Sequence, residues 1–416
     1  MPSITGVLFT LTILILGIVY QVYLSPLLTL GGHYRTVQPL NTEHCTAIEE
    51  LKACEKLVIH PSGVIYLACA SSPESRLSWM PAIENLDSTR MKRGPSQDYV
   101  AVYDTRSRKV TKLSIIGFAD SRQLNAHGMD VVPDEHNPDI LWVYLVNHRP
   151  PLPELSQVGA DSVIEVFKTQ LGFSHMEWVR TFAHPSIIVT PNDIVGGSNG
   201  KEAWFTNDYP VKQGLKRKLH AYFRIGSTWV GYCHADTGCK IAADELYTSN
   251  GITRTPDGNI WVGSIMGGYV TVYEPQADNT LVQTDIIKLD SFIDNLTAAP
   301  DGSVIATTFP RADVAIKSFR DMKLKAPSSA HRISINTGEG SYYGDKYKVQ
   351  KIYEDDGALR SSATTAAIYD GHIYLTGLLS ERLQICKIPS EIFRQAEART
   401  QTDTLNPNGH SVDDSY

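Results

Sequence analysis

A turn followed by a β-rich run recurs six times along the chain, and this repeat narrows the possible folds more than any other feature. The copies begin at His60, Val132, Gly196, Thr255, Ala299 and Ile368. Each copy has Gly, Asp or Asn where the backbone reverses, then Val, Ile, Trp, Tyr or Thr in runs typical of strands. Six such copies predict an all-β, six-bladed β-propeller with four-stranded blades. A pair of β-sandwiches is the alternative. An α/β fold is disfavoured because no long helical periodicity alternates with the strands.

The N-terminus predicts a hydrophobic helix in front of the propeller. Residues 5–24 carry no charge, and at ~1.5 Å per residue they are long enough to span a bilayer core of ~30 Å. No Lys or Arg precedes Arg35 and no clear small-residue cleavage site follows, which favours an uncleaved signal-anchor over a cleaved signal peptide. Both place the remainder in the secretory pathway, either membrane-anchored with a lumenal or extracellular propeller or secreted. We divide the chain into this segment (1–30), the propeller (31–390) and a polar tail expected to be disordered (391–416).

The charge balance argues against a nucleic-acid partner. The net charge is −7 with a pI near 6.0, whereas nucleic-acid binding needs clustered cations. The one basic cluster, Lys212 with Lys216, Arg217 and Lys218, is short. It predicts a solvated helix or loop face, with contact to a membrane surface as the alternative.

Six cysteines, in spacings that match no zinc motif, suit an oxidising compartment. Cys45 and Cys386 lie near the two ends of the predicted propeller, where a disulfide would close the ring. Cys233 and Cys239 could close a small local loop. Spacing alone leaves the pairing open.

Acidic and amide residues recur at a similar point in four of the repeats. They are Glu55, Asn192, Asp193, Asn250, Asp294 and Asn295. Any one of them could be an ordinary turn residue, but equivalent positions of propeller blades converge on the central axis. Ca²⁺ takes six to eight oxygen ligands from carboxylates, amides and water, so the pattern predicts a calcium site on that axis.

Asn295 also begins Asn295-Leu296-Thr297, which reads as an N-glycosylation acceptor. A glycan needs a surface position, whereas a calcium ligand on the axis is buried. A glycan there would block both the metal and the pocket. We therefore expect Asn295 to bind calcium and to remain unglycosylated.

Two histidines, His127 and His148, flank one predicted hairpin. A lone histidine is usually structural or exposed. A pair beside a carboxylate-rich tunnel could provide a general base, because imidazole titrates near neutrality.

Over residues 45–386 the chain resembles the serum paraoxonase/arylesterase family. The phrases that carry the resemblance are NAHGM, LVNHRP, SVIEVFK, TPNDIV, FTNDY, SNGITRTPDG and IDNLTAAPDG. The resemblance implies a six-bladed propeller with two calcium ions in its central tunnel, acting as a lactonase and arylesterase.

The resemblance also implies roles for individual residues. Glu55, Asn192, Asn250, Asp294 and Asn295 match the ligands of the catalytic calcium, and His127 and His148 match a histidine dyad. Asp193 and the backbone carbonyl of Met129 match ligands of a second, structural calcium, and Cys45 and Cys386 match a disulfide that joins the chain ends.

Two positions depart from the family pattern. Lys56 stands where the family has an aspartate on the structural calcium, and an ammonium cannot ligate calcium and repels it at short range. We therefore expect one tight calcium ion, with Lys56 set against Asp193 in place of the second. Phe309 stands where the family commonly has an active-site histidine, which implies an apolar pocket wall there.

These features predict calcium-dependent hydrolysis of a small-molecule ester or lactone. Calcium would polarise the carbonyl while His127, assisted by His148, activates water; Asp294 or Glu55 is the alternative base. Two other classes are a non-catalytic lumenal propeller scaffold and another six-bladed propeller enzyme of the gluconolactonase or strictosidine-synthase type.

Overall fold

The computed structural model describes residues 3–87, 98–119, 122, 124–152, 158–338, 341, 344–359 and 361–392. The predicted polar tail, apart from Glu391 and Ile392, lies outside the described residues. Within the described ranges most of the ordered chain is β-strand, preceded by one long helix and interrupted by a few short ones.

A long apolar helix precedes the strands. It consists of α1 (Ile4–Val19), a π-helical turn (Tyr20–Leu24) and α2 (Ser25–Leu30). The whole segment, Ile4–Leu30, is long and apolar enough to cross a membrane, and none of its most apolar window is buried against the protein. The predicted N-terminal hydrophobic helix is thus present.

The strands form six sheets, which we call blades 1 to 6. An initial strand, β1 (Cys45–Ile48), belongs to blade 6. Blade 1 contains β2 (Cys54–Ile59), β3 (Val64–Cys69), β6 (Tyr99–Asp104) and β7 (Val110–Lys112). Between β3 and β6 the chain forms a separate two-stranded sheet of β4 (Trp79–Met80) and β5 (Asn85–Leu86). Blade 2 contains β8 (Ser114–Ile116), β9 (Ala126–Pro133), β10 (Ile140–Arg149), β11 (Asp161–Gln170) and β12 (His175–Phe182).

The remaining blades have four strands each. Blade 3 contains β13 (Pro191–Gly196), β14 (Glu202–Asn207), β15 (Thr228–His234) and β16 (Gly238–Leu246). Blade 4 contains β17 (Ser249–Arg254), β18 (Ile260–Ser264), β19 (Tyr269–Pro275) and β20 (Leu281–Lys288). Blade 5 contains β21 (Phe292–Ala298), β22 (Val304–Phe309), β23 (Ser328–Ile335) and β24 (Tyr347–Asp355). Blade 6 contains β25 (Thr365–Tyr369), β26 (His372–Thr376) and β27 (Leu383–Lys387), completed by β1.

The first long strand of each blade lines a central tunnel. These innermost strands, β2, β9, β13, β17, β21 and β25, contact one another in ring order, and β25 returns to β2. The six repeated turns of the sequence are the hairpins that join each innermost strand to the next strand. The predicted six-bladed propeller is confirmed.

The ring is closed by pairing the first strand with the last. β1 is antiparallel to β27, with Cys45 opposite Cys386, and a disulfide joins these two residues. Cys54–Cys69 and Cys233–Cys239 form two further disulfides within blades 1 and 3. All six cysteines are therefore paired.

Apolar side chains fill the space between neighbouring blades. Six buried clusters lie one at each junction, from blades 1 and 2 round to blades 6 and 1. Each sheet is therefore covered on both faces, and burial of these side chains at roughly 25 cal/mol per Å² drives closure of the ring.

The helices between strands lie on one face. They are α3 (Pro73–Ser78), a 3₁₀ turn (Pro81–Ile83), α4 (Leu215–Phe223) and α5 (Ala312–Ser318). Each follows the second strand of its blade, so each lies at the end of the tunnel where the innermost strands begin; we call this the upper face. The N-terminal helix reaches the same face, because the Ala312 amide donates to the Gly31 carbonyl at 2.9 Å.

Candidate functional site

Five of the six innermost strands have a β-bulge at the same level near the upper face. In β2, β9, β13, β17 and β21 the register with the neighbouring strand shifts there. The residues at the shifts are Glu55, His127, Gly128, Asn192, Asp193, Asn250, Gly251, Asp294 and Asn295. A bulge turns side chains away from the normal alternation, which explains why the predicted site residues converge on the axis.

The carboxylate of Glu55 is held by two other blades. Asn295 Nδ2 donates to its Oε1 at 2.7 Å, and Thr364 Oγ1 donates to its Oε2 at 2.5 Å. The Glu55 backbone carbonyl accepts from the hydroxyls of Thr364 and Thr365 at 2.9 and 2.7 Å. Blade 6, whose innermost strand has no bulge, thus contributes hydroxyl groups that the sequence patterns did not reveal.

Three amide oxygens at this level lack a hydrogen-bond partner among the described residues. They are Oδ1 of Asn192, Asn250 and Asn295, and all three side chains are buried. The Asn295 amide is fixed in orientation because its nitrogen also donates to Thr365 Oγ1 at 3.0 Å. A buried amide oxygen without a partner is destabilising, so the three together suit a bound cation.

Two buried carboxylates accompany these oxygens. Burial raises the pKa of Glu55 to about 7, and burial together with the charge of Glu55 raises the pKa of Asp294 well above its ordinary value. Such shifts are what uncompensated carboxylates show when their positive partner is absent. Two carboxylates and three amides form a donor set that fits Ca²⁺.

Carboxylates and imidazoles alone would not hold a metal here. Within the described ranges, His, Cys, Asp and Glu side chains form no group of three or more that could bind one. The fit to calcium therefore depends on the amide oxygens, because Ca²⁺, unlike zinc, accepts neutral amide ligands readily.

The two predicted histidines are in contact beside this cluster. His127 Nδ1 lies 2.9 Å from His148 Nε2, and His148 Nδ1 lies 2.8 Å from Ser162 Oγ. On the other side, His127 Nε2 is 3.7 Å from Glu55 Oε1. Burial, followed by the charge of Arg76, lowers the pKa of His148 to about 3, and burial with the neighbouring His148 lowers the pKa of His127 well below its ordinary value. Both rings are therefore neutral at pH 7.

Asp208 is a third buried carboxylate that the sequence patterns missed. It directly follows β14, and its pKa is raised by burial and lowered in part by hydrogen bonds from Thr190 and Asn192. The contact from the Asn192 side chain orients that amide, and the charge of Asp208 contributes to the raised pKa of Asp294. Asp208 lies outside the repeated turns, and two signals could have found it: its place directly after a second strand and its presence in the FTNDY phrase.

Asp193 and Lys56 lie below the polar cluster and contact each other. Lys56 Nζ is 2.5 Å from Asp193 Oδ2. Lys56 and the buried Met129 both line a cavity of about 300 Å³ in the lower part of the tunnel. The residue expected to oppose a second calcium is thus placed where its charge faces Asp193.

Phe309 and Arg217 are two further residues that the sequence singled out. Phe309 is buried on the upper face in an apolar cluster with Phe292, beneath Leu27 and Leu30 of the N-terminal helix. Arg217, predicted to belong to a solvated face, is instead buried, with its guanidinium 3.7 Å from the ring of Tyr209. Stacking on an aromatic ring compensates the loss of water around a guanidinium, whereas Lys216 and Lys218 remain exposed.

The approach to His148 from the upper face is nearly closed. The cavity beside it has a volume of only about 10 Å³ and is lined by Pro81, Ala82, Lys212 and Arg217 among others. Pro81, Ala82, Lys212 and Arg217 form a cover over the site. Arg217 holds it together, because its guanidinium donates to the carbonyls of Ala82 at 2.7 Å and Lys212 at 3.1 Å. Arg217 therefore joins the segments that line this cavity.

Comparison with known proteins gives one consistent result. The family model described as arylesterase matches residues 36–388. Serum paraoxonase/arylesterase 1 of Rattus norvegicus is 25% identical over 384 residues, covering 91% of this chain and 98% of the rat protein. Serum paraoxonase/lactonase 3 of Homo sapiens is 24% identical over 358 residues, covering 85% of this chain and 91% of the human protein.

Solved structures match this chain at lower similarity. A luciferin-regenerating enzyme has a TM-score of 0.47 with 11% identity, covering 82% of this chain and 94% of that one. A gluconolactonase from Xanthomonas campestris has a TM-score of 0.44 with 12% identity, covering 85% of this chain and 99% of that one. At these scores the fold assignment depends on the strand order of this chain itself.

Proposed function

Because the chain belongs to the arylesterase family, we propose that it hydrolyses carboxylic esters and lactones at the polar cluster on its tunnel axis, with one calcium ion bound there. The observation that carries this proposal is the set of three buried amide oxygens without described partners, beside two carboxylates with raised pKa values. A protein that merely used these residues for packing would leave their hydrogen-bonding capacity unsatisfied.

The residues that would hold calcium are Glu55, Asn192, Asn250, Asp294 and Asn295. Bound calcium supplies a positive charge that polarises a carbonyl oxygen and stabilises the negative charge developing on it. Two carboxylates balance the ion's charge, and five protein oxygens leave room in a shell of six to eight for water or substrate.

The histidine dyad is arranged to accept a proton from water. In the proposed tautomer His148 donates from Nδ1 to Ser162 Oγ and accepts at Nε2 from His127 Nδ1–H, which leaves His127 Nε2 free of hydrogen and directed towards Glu55. The low pKa values keep both rings unprotonated. On proton transfer to Nε2, the chain of hydrogen bonds to His148 and Ser162 steadies the positive ring. Glu55 and Asp294 are the alternative bases.

The cover over the site sets a condition for substrate binding. Arg217 ties α4 to the 3₁₀ turn after α3 through the Ala82 carbonyl, and we propose that this contact opens to admit an ester to His127. Closure afterwards would exclude bulk water, which strengthens electrostatic interactions within the site.

A substrate panel with calcium control tests the proposed activity. Purified protein is assayed with phenyl acetate and with aliphatic lactones, before and after EDTA treatment and after calcium is restored. We expect turnover that EDTA abolishes and calcium recovers, and that Asp294→Asn removes while the exposed control Asp244→Asn does not. Absence of calcium-dependent turnover on every substrate would indicate a non-catalytic scaffold instead.

We also propose that the N-terminal helix is an uncleaved membrane anchor. Its last turn belongs to the folded unit, because Leu27 and Leu30 pack with Phe309 and Ala312 on the upper face. Cleavage of the segment would remove these contacts and expose the apolar cluster. With the anchor retained, the propeller would lie in the lumen or outside the cell, with its upper face towards the bilayer.

α4 suits the same membrane surface. Leu215, Leu219 and Tyr222 are exposed and spaced to lie on one side of the helix, and Lys216 and Lys218 flank them. Apolar side chains beside lysines favour an interface with anionic lipid. The test is the intact mass of the membrane-extracted protein: a mass that includes residues 1–30, with resistance to alkaline carbonate extraction, is expected, and a shortened soluble form would contradict the anchor.

A further inference from the structure

The ammonium group of Lys56 lies at the centre of the propeller, among groups from other blades. It donates to Asp193 Oδ2 of blade 3 at 2.5 Å and to the Leu296 carbonyl of blade 5 at 3.0 Å. Lys56 itself belongs to β2 of blade 1. Its exposed fraction is 3% and that of Asp193 is 0%, so water does not solvate either charge.

The partner carboxylate is itself held by the neighbouring blades. The Ile252 amide of blade 4 donates to the same Oδ2 at 3.0 Å, and the Asp193 amide donates to Thr206 Oγ1 at 3.2 Å. A β-carbon on Gly128 of blade 2 would lie 2.9 Å from Asp193 Oδ1, so the backbone of that blade packs directly against the carboxylate. Five blades therefore meet at one buried ion pair.

We propose that Lys56 is a built-in cation that occupies the lower ion position of the tunnel and ties blades 1, 3 and 5 together without a metal. A buried carboxylate requires a positive partner, and a divalent ion bound by the oxygens of Asp193 and Leu296 would meet that requirement. The ammonium meets it from within the chain, and it offers three N–H donors on a flexible stem. Its charge also acts on Asp130 in the lower tunnel, whose pKa it lowers against the effect of burial.

The consequence is a different dependence on metal in the two halves of the tunnel. The upper cluster of Glu55, Asp294 and three asparagines needs a calcium ion if the proposed function holds, whereas the pair below already has its positive charge in Lys56, with only Asp193 Oδ1 lacking a hydrogen-bond partner among the described residues. Removal of calcium should therefore disable the upper site and leave the propeller closed. The inference about Lys56 itself does not depend on activity.

A double-mutant cycle on thermal unfolding tests the pairing. The variants are Lys56→Met, Asp193→Asn and the double variant, all measured as full-length protein in EDTA, with the exposed Lys52→Met as the matched control. Each single change leaves one buried charge alone, so we expect Tm to fall by roughly 5–10 °C in each. The double variant should be more stable than the sum of the two losses predicts, and Lys52→Met should be unchanged. Strictly additive losses would overturn the proposal.

Metal content gives a second, independent measurement. Wild-type protein dialysed against micromolar calcium should carry one tight ion per chain, and Lys56→Asp, which adds a carboxylate beside Asp193 and the Leu296 carbonyl, should carry one more than the wild type. Two tight ions in the wild type would overturn the proposal. A wild type without calcium would contradict the proposed function, while the gain of one ion in Lys56→Asp would still support the role of Lys56. If Lys56→Met does not fold, the stability of the double variant and the calcium content of wild type and Lys56→Asp test the proposal in its place.

Discussion

The side-chain nitrogen of Asn295 donates a hydrogen bond of 2.7 Å to Oε1 of Glu55, joining blade 5 to blade 1 across the tunnel. The bond fixes both side chains at once: it leaves the Asn295 oxygen without a described partner, and it leaves the other Glu55 oxygen to Thr364. A calcium site built on this pair would be assembled before the metal arrives, and pre-organised ligands bind ions more tightly.

The first prediction concerns Glu55→Gln. The change keeps the size of the side chain but removes one negative charge and sets an amide against the Asn295 nitrogen. We expect calcium affinity to fall at least about 100-fold, measured by isothermal titration calorimetry, with a matching loss of phenyl acetate hydrolysis. Glu50→Gln, on the exposed surface, is the control. Unchanged affinity in Glu55→Gln would exclude Glu55 from the metal site.

The second prediction is a pH dependence of stabilisation by calcium. Burial raises the pKa of Glu55 from 4.5 to about 7, and burial together with the charge of Glu55 raises that of Asp294 well above its ordinary value. A raised pKa means that metal-free stability is intact below the unfolded pKa and is lost as pH rises towards the folded pKa. Calcium removes this loss by pairing with the charges. The increase of Tm on adding calcium should therefore be small at pH 5 and large at pH 8; an increase independent of pH would contradict the assignment.

The predicted fold followed from the sequence because its signals are local. Each hairpin between an innermost strand and its neighbour carries Gly, Asp or Asn at the reversal, as at Gly258 and Gly302, where φ is +88° and +79°. Only glycine adopts such angles without strain. Six local signals of one kind are enough to count the blades, but they do not predict the helices and loops that lie on the upper face.

The candidate site was predicted only in part. Glu55, Asn250 and Asn295 could be proposed because each lies a few residues before a repeated turn. Asp208 was not singled out, because it lies outside the repeated turns. Thr364 escaped notice, since its contact with Glu55 joins residues 309 positions apart. Arg217 was misjudged for the same reason: its neighbours in sequence are exposed lysines, whereas its contacts with Tyr209 and Ala82 exist only in the folded chain.

The third prediction concerns the histidine dyad. His127→Gln should lower kcat for phenyl acetate by about 100-fold or more, while the exposed His136→Gln, whose side chain is 86% accessible, should not. Because the pKa of His148 is near 3 and that of His127 is also depressed, both rings stay neutral in mild acid. With saturating calcium, the apparent pKa of the acid limb of the pH–rate profile should therefore be well below the ordinary histidine pKa of about 6.5. A limb at 6.5, or full activity in His127→Gln, would contradict a general-base role for the dyad.

The fourth prediction compares two disulfides. Cys45–Cys386 closes a loop with a sequence separation of 341, whereas Cys233–Cys239 closes one of 6. In the chain-entropy model the disulfide that closes the long loop stabilises the fold by about 6 kcal/mol and the one that closes the short loop by about 2 kcal/mol. Replacing both cysteines by alanine should thus lower stability in denaturant far more for the first pair, which also holds β1 in blade 6. Equal losses for the two pairs would show that the ring closure does not depend on the bridge.

The last prediction is that Asn295 carries no glycan, although Asn295-Leu296-Thr297 is the one Asn-x-Ser/Thr sequence in the chain. Its side chain is 1% exposed, and the nitrogen to which a sugar would be attached already donates to Glu55 and Thr365. Attachment during synthesis would block both bonds and place a sugar in the tunnel, where the Asn295 side chain contacts Glu55 and Thr365. Protein made in a eukaryotic secretory pathway should therefore show the same mass before and after treatment with an N-glycosidase. The positive control is Lys201→Thr, which changes an exposed side chain and makes Asn199 an acceptor in a surface turn; this variant should lose mass on the same treatment. A glycan found on Asn295 would place this residue at the surface and remove it from the metal site.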